Sequence, residues 1–316
     1  VQKSIKIGTR GSPLAMAQAH EVKNHLIAAH EALDDANVEI QVIKVMGDQI
    51  VDRSLMSAGG KGLFTKEIEQ ALLDGTIDMA VHSTKDMPTQ LPKGLVLSAF
   101  LKREDPRDVL VSTGFSSLDD LPNGALIGTA SLRRRAQLLN LRPDLKVINF
   151  RGNVQTRLKK LEAGEANATF LALAGLNRLG MGEVATEILP LNSFLPAPAQ
   201  GAVTIEIREG DAQTANLLKP LHDSNTAKAV TAERALLAAL DGSCRTPIAA
   251  LAVILDDEIS IIGEILSVDG AIRHRETASG PASNAELIGK AVGGALRERA
   301  GDAFFEQLIR DVEEIS

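Results

Sequence analysis

Three kinds of residue in this chain could do chemistry: an aspartate closing an apolar run, the only thiol, and a scattered set of arginines. Asp86 lies in His82-Ser83-Thr84-Lys85-Asp86-Met87-Pro88, directly after Ile77-Asp78-Met79-Ala80-Val81. That apolar run reads as a short buried strand after a break at Gly75. Asp86 then falls in a loop at a strand's carboxyl end, where open α/β sheets bind ligands. Lys85 beside it favours the ionised carboxylate. The plain alternative is a helix cap followed by a surface turn. Cys244 sits in the turn Asp241-Gly242-Ser243-Cys244-Arg245, where Arg245 pulls the thiol toward thiolate. A lone cysteine is more often a small buried hydrophobe, but the glycine-bearing turn argues for presentation.

The arginines gather at expected strand ends. Arg133-Arg134-Arg135 follow Ser131 in the first turn of a helix, where the helix dipole disfavours cations unless an anion compensates. Arg151-Gly152-Asn153 follows the strand expected over Lys146–Phe150, with Arg157 two turns into the next helix, and Arg178 follows the strand expected over Ala168–Leu173. Any one of these reads as a solvated surface group. Together they read as a cradle for several carboxylates.

The elements that must position these residues follow from periodicity. Ser4–Gly8 alternates as a strand, Thr9-Arg10-Gly11 ends it, and Ser12-Pro13 opens a helix carrying Ala19, Val22, Leu26 and Ala29 on one face. Val38–Val42 alternates again, completing a βαβ unit. Met46–Lys61 shows no sustained period and is expected to be a long loop, a lid or a disordered segment. Phe64, Ile68 and Leu72 mark a helix stopped by Gly75. A second lobe begins after the charged turn Leu101–Pro106, and it echoes the first: Ile7-Gly8-Thr9 with Ser12 is matched by Ile127-Gly128-Thr129 with Ser131. Two similar lobes around a cleft are the economical reading. Leu195-Pro196-Ala197-Pro198-Ala199-Gln200-Gly201 is a stiff connector, and the strand Ala202–Ile207 after it is expected to return to the first lobe's sheet. Ser224 caps a long helix through Leu240. Strands at Ile248–Leu255, Ile259–Leu266 and Ala271–Ala278, the last two joined at Val268-Asp269-Gly270, and helices from Asn284 and Asp302 make a small α+β third domain.

Composition bounds the function. The chain's 316 residues allow two or three domains with real cores. Lys plus Arg is 34 against 41 for Asp plus Glu, so the net charge is -7 and bulk nucleic-acid binding is not expected. There is no Trp or Tyr and there are eight Phe, which gives little platform for base stacking. No apolar run approaches the ~20 residues a bilayer span needs. The start goes straight into a strand, leaving no room for a signal peptide, and one cysteine suits a reducing compartment, so the expected location is cytoplasmic. His20, His25 and His30 scatter around a helix, and no metal site is expected.

With these residues together, the chain resembles the hydroxymethylbilane synthase (porphobilinogen deaminase) family from Ile5 to the last helix. The resemblance rests on Thr9-Arg10 with Ser12-Pro13-Leu14-Ala15, Gly59-Gly60-Lys61-Gly62-Leu63-Phe64, His82–Pro88 and Arg103-Glu104-Asp105-Pro106-Arg107-Asp108. Ser131-Leu132-Arg133-Arg134, Arg151-Gly152-Asn153 and the Cys244 turn complete it, seven motifs in the family's order. It implies an α/β protein of two lobes like type II periplasmic binding proteins with a double crossover, plus a small C-terminal α+β domain with a three-stranded antiparallel sheet. The implied domains are 1–101 with 202–219, 102–201, and 220–316. It also implies a dipyrromethane cofactor, made from the substrate and held by a thioether to Cys244. Four porphobilinogen molecules are then joined head to tail, each losing ammonia through a cationic azafulvene, and water releases the linear tetrapyrrole. Carried over by motif, Asp86 is catalytic, and Lys85, Asp86, Thr129, Ser131, Arg133, Arg134, Arg151 and Gly152 hold the cofactor. Arg10, Ser12, Phe64, Arg151, Arg157, Arg178 and Gln200 bind substrate. The partners implied are porphobilinogen alone, with no nucleic acid and no membrane, for a monomer. Two positions depart from the family's pattern: Ser57 stands where many members have lysine in the loop, and Gly242-Ser243-Cys244 replaces the common Gly-Gly-Cys. The rival reading is a non-catalytic two-lobed binding protein for a small polyanion, which gives no role to Cys244 or Asp86.

Overall fold

The computed structural model describes residues 4–49, 64–240, 242 and 246–315. Of the loop expected over Met46–Lys61, the first four residues form a short helix. The remainder, with Ser57, lies outside the described residues, as does Cys244.

The chain opens with β1 (Ile5–Thr9), α1 (Pro13–Ala29), β2 (Val38–Val42), α2 (Met46–Gln49), α3 (Lys66–Leu73), β3 (Met79–Ser83) and β4 (Leu95–Phe100). It continues with β5 (Asp108–Ser112), β6 (Leu126–Gly128), α4 (Leu132–Leu141), β7 (Lys146–Ile148), α5 (Val154–Glu162), β8 (Ala168–Ala172), α6 (Leu173–Arg178) and β9 (Glu187–Ile188). Next come β10 (Val203–Arg208), α7 (Ala212–Leu218), α8 (Ser224–Ala239), β11 (Ile248–Leu255), β12 (Glu258–Leu266), β13 (Arg273–Pro281) and α9 (Ala285–Ile315). Residues up to 104 with 202–227 form one compact unit, and 105–201 with 228–316 form another.

The first unit holds a five-stranded sheet in the order β2-β1-β3-β10-β4, with β1 parallel to β2 and β3 and β10 antiparallel to β3 and β4. The second holds a five-stranded sheet in the order β7-β6-β8-β5-β9, with the same alternation of parallel and antiparallel neighbours. In each sheet the antiparallel strand is the one nearest in sequence to a crossing between the units: β5 follows the first crossing and β10 the second. The expected double crossover and the echo between lobes are therefore both present, with β1 and β6 at equivalent positions. In the first unit, Ile7, Ala19, Val22, Leu26, Met79 and Ile205 pack on one side of the sheet, and Val45, Ile68, Leu72, Ile77 and Ala80 pack on the other. Each fully buried Val, Leu, Ile or Met side chain among them contributes about 1.5–3 kcal/mol by leaving water. Two apolar faces explain why these strands read as short apolar runs.

The second unit also contains the three-stranded antiparallel sheet β11-β12-β13. Gly301, at φ 73°, breaks α9 into two helices, in keeping with the second start expected at Asp302. Several bounds move by a turn or less. β3 begins at Met79 rather than Ile77, β7 stops at Ile148 rather than Phe150, and β13 covers Arg273–Pro281. The cap of α8 is Asp223, not Ser224: its Oδ1 accepts from Thr226 N at 2.7 Å. Two good capping residues stand side by side there, and the carboxylate takes the position. No helix among the described residues is long and apolar enough to cross a membrane.

Candidate functional site

In the first unit, the parallel neighbours β1 and β3 deliver Arg10 and Asp86 to the same end of the sheet. Asp86 ends a single 3-10 turn, Thr84–Asp86, rather than an open loop. The turn is fixed from behind: Thr84 N donates to Ala202 O at 3.0 Å, Met87 N donates to Thr84 O at 3.1 Å, and Ser83 exchanges hydrogen bonds with buried Gln18. Arg10 Nη1 lies 3.9 Å from Asp86 Oδ2, with the two side chains 22% and 36% exposed. A loose pair of this exposure contributes about 0–1 kcal/mol, so a ligand displaces it at little cost. The Arg10 guanidinium also stacks 4.2 Å from the centre of the Phe64 ring, a cation–π contact that fixes its plane. Ser12 caps α1, accepting from Ala15 N at 3.3 Å, and Lys85 sits partly exposed in the Asp86 turn.

The second unit presents its groups at the ends of β6, β7 and β8. Ser131 caps α4 by accepting from Arg134 N, and buried Thr129 Oγ1 accepts from Ser131 N at 3.2 Å. Arg133 and Arg134 turn inward instead of outward. Their anion is Asp108, fully buried at the first position of β5: Arg133 Nη1 reaches Oδ2 at 2.7 Å and Arg134 Nη2 reaches Oδ1 at 2.6 Å. Burial works against the Asp108 carboxylate, but the two guanidinium charges hold it well below the usual carboxylate range. Arg134 Nη1 also donates to Phe170 O, Arg133 Nη1 to Leu195 O, and Gln200 Nε2 to Pro106 O and Asp108 Oδ1. This network explains how α4 tolerates cations in its first turn.

Arg157 is different. It lies in the first turn of α5, not two turns in, and its Nε donates to Gly152 O at 2.9 Å. Among the described residues no carboxylate pairs with it. Burial, then the like charges of Arg134 and Arg151, push its pKa down to about 10. Arg151 is half-buried, and burial lowers its pKa as well. Gly152 makes this corner possible: its φ is 120°, and a Cβ there would lie 2.6 Å from the Thr156 side chain. Asn153 then caps α5, accepting from Thr156 N at 2.9 Å. Arg178 is the last residue of α6 and donates to Gly201 O at 3.1 Å.

The expected residues thus fall into two constellations, Arg10, Ser12, Phe64, Lys85 and Asp86 in one unit and the remaining arginines with Thr129, Ser131 and Gln200 in the other. A carboxylated pyrrole cofactor fits the second: Arg157 is a half-buried cation among cations, the arrangement an anion relieves. Asp108 is the buried partner of Arg133 and Arg134 that the sequence reading did not assign, though an acid at the head of the apolar run Val109-Leu110-Val111 is its signal.

Residues 5–216 match the family profile described as porphobilinogen deaminase, dipyromethane cofactor binding domain, and residues 227–298 match its C-terminal domain. The chain is 54% identical over 299 residues to the porphobilinogen deaminase of Nitrobacter winogradskyi, covering 95% of this chain and 94% of that one. It is also 54% identical over 305 residues to that of Paracoccus denitrificans, covering 96% and 97%. Among solved structures it is similar to the methionine binding protein MetQ, at 13% identity and a TM-score of 0.43 over 71% of this chain and 92% of that one. With two family profiles across nearly its whole length and relatives of this identity, the chain belongs to the porphobilinogen deaminase family, the dipyrromethane-bearing transferases also known as hydroxymethylbilane synthases.

Proposed function

We propose that this chain condenses four porphobilinogen molecules into a linear tetrapyrrole on a dipyrromethane held by a thioether to Cys244. The observation that supports it most is Arg157, a cation pressed against other cations with no carboxylate of its own among the described residues. Porphobilinogen carries acetate and propionate groups, so both it and the growing chain supply the missing anions. Arg151 and Arg157 bind these carboxylates, and Arg133, Arg134 and Gln200 shape the wall behind them through Asp108. When bound, the cofactor supplies the primer on which the chain grows. Asp86 faces the pyrrole N–H groups and stabilises the cation left when substrate loses ammonia, holding or passing the proton at its carboxylate. Arg10 and Ser12 orient substrate carboxylates, and the Phe64 ring packs near the reacting pyrrole. Lys85, Thr129, Ser131, Gly152 and Arg178 complete the contacts. The protein works as a cytoplasmic monomer on porphobilinogen, with no nucleic-acid partner, and divides into domains at 1–101 with 202–219, 102–201 and 220–316.

Ehrlich's reagent on the denatured protein, paired with intact mass, tests this reading. The wild-type protein should give the dipyrrole colour and a matching mass adduct. Cys244→Ser should fold yet carry neither, because a hydroxyl is a far weaker nucleophile than a thiolate. A wild-type protein without adduct would leave a polyanion-binding protein in place of the enzyme.

A further inference from the structure

A polar pair is buried in the first unit, in the strand that leads to Asp86. His82 Nε2 of β3 and Glu206 Oε2 of β10 share a hydrogen bond at 3.2 Å, with the two side chains 4% and 0% exposed. Among the described residues it is the only hydrogen bond of that carboxylate, whose Oε1 has no partner. Arg208, two residues further along β10, donates instead to Leu72 O and Ile77 O at 2.8 and 2.7 Å and to Asp211 Oδ2 at 3.0 Å. The antiparallel ladder sets Ser83 opposite Val203, His82 opposite Thr204 and Ala80 opposite Glu206, so the bond runs diagonally across it. On the other face of these strands Met79, Val81, Val203, Ile205 and Ile207 pack in one apolar cluster. That face tolerates a slide of two residues, about 7 Å, because side chains return to the same side with period two. The polar face does not, since a slide would part His82 from Glu206 and leave a buried carboxylate unpaired. Thr84 N donates to Ala202 O at 3.0 Å directly beyond the ladder, and Asp86 stands four residues after His82.

We propose that His82 is a positioning residue for Asp86: bonded to Glu206, it fixes the register of β3 against β10 and so the height at which the Asp86 turn leaves the sheet. This rests on the reaction proposed above. A buried pair of this kind adds little stability over two apolar side chains of similar size, and what it contributes is a single register. Without it the Asp86 carboxylate is held less closely, and a misplacement on the order of 1 Å costs up to about a hundredfold in rate. Arg10 and Ser12 follow β1, not β3, so substrate binding is largely spared.

The test replaces the pair by an apolar one, His82→Leu with Glu206→Leu, and compares it with Glu206→Gln, which keeps an acceptor for the imidazole. The double variant should melt near the wild-type temperature. Per cofactor-loaded molecule it should lose about ten- to a hundredfold in kcat with KM nearly unchanged. Its Thr84 amide should exchange hydrogen faster than in the wild type, a readout that needs no turnover. Glu206→Gln should retain most of kcat and of that protection. Should the double variant fail to fold, His82→Asn, polar but too short to reach Glu206, takes its place and should show the same loss confined to kcat. Wild-type kcat and wild-type Thr84 protection in a variant lacking the pair overturn the proposal, and so does a kcat that only follows melting temperature across the set. A wild-type protein that carries no adduct instead overturns the underlying reaction, before any variant is made.

Discussion

At the scale of single residues, Asp86 and Arg157 differ in what their charge does when no ligand is bound. Asp86 leans loosely on Arg10 across 3.9 Å and stays open to the solvent side. Its carboxylate is free to act where positive charge develops, so its removal should slow turnover more than it weakens binding. Asp86→Asn keeps the shape and one acceptor oxygen. Single-turnover kinetics on cofactor-loaded protein should show a loss of at least ~100-fold with substrate affinity largely retained. Near-wild-type chemistry would reduce Asp86 to a turn residue. Arg157 has the opposite character, a cation whose site depresses it in the absence of an anion. Arg157→Gln removes that repulsion, so the Cys244→Ser apoprotein bearing it should melt no lower than its parent. In the Cys244 background the same change should leave the cofactor poorly loaded. A lower melting temperature together with full loading would contradict a binding role for this arginine.

At the scale of elements, Asp108 joins β5 to the first turn of α4. Truncating one member of a buried, paired cluster strands the others, so Asp108→Asn should cost about 3–5 kcal/mol at neutral pH in denaturant unfolding. The sign with pH follows from its depressed pKa. The stabilisation is complete above the unfolded carboxyl value of ~3.9 and fades as pH falls toward the lower folded value, so the wild-type and Asn curves converge only in acid. Most elements that carry the site were legible in the sequence because their signals are local. Ser12 and Ser131 cap their helices as expected, and the matched Ile-Gly-Thr pairs occupy β1 and β6. The partners of the arginines were not legible. Arg134 meets Asp108 across 26 positions of chain, and no local pattern states that pairing. A weaker signal was there: Asp108, Glu206 and Glu264 are each an acid within an apolar strand, and each is buried against a cation or histidine. A carboxylate so placed must find its partner inside the protein, which makes such acids pointers to charged side chains distant in sequence.

At the scale of the whole molecule, the two α/β sheets have one plan, and the chain leaves the first unit after 104 and returns to it at 202, so β10 joins the first sheet from beyond all the strands of the second in sequence. The candidate acid–base group is carried by the first unit and the densest arginine cluster by the second. The thiol lies in the chain between α8 and β11, with Gly242 N tied to Leu237 O at 2.9 Å just before it. On the proposed function, the arginines of the second unit bind the carboxylates of the growing chain and Asp86 serves each condensation. The central claim is that the protein itself is the covalent primer for four successive additions. Rapid mixing of cofactor-loaded protein with porphobilinogen, quenched at intervals and read by intact mass, tests it most directly. The account predicts four equal mass increments, each of one porphobilinogen less ammonia, followed by return to the starting mass as product leaves. Consumption of porphobilinogen with no change in the protein's mass would contradict it.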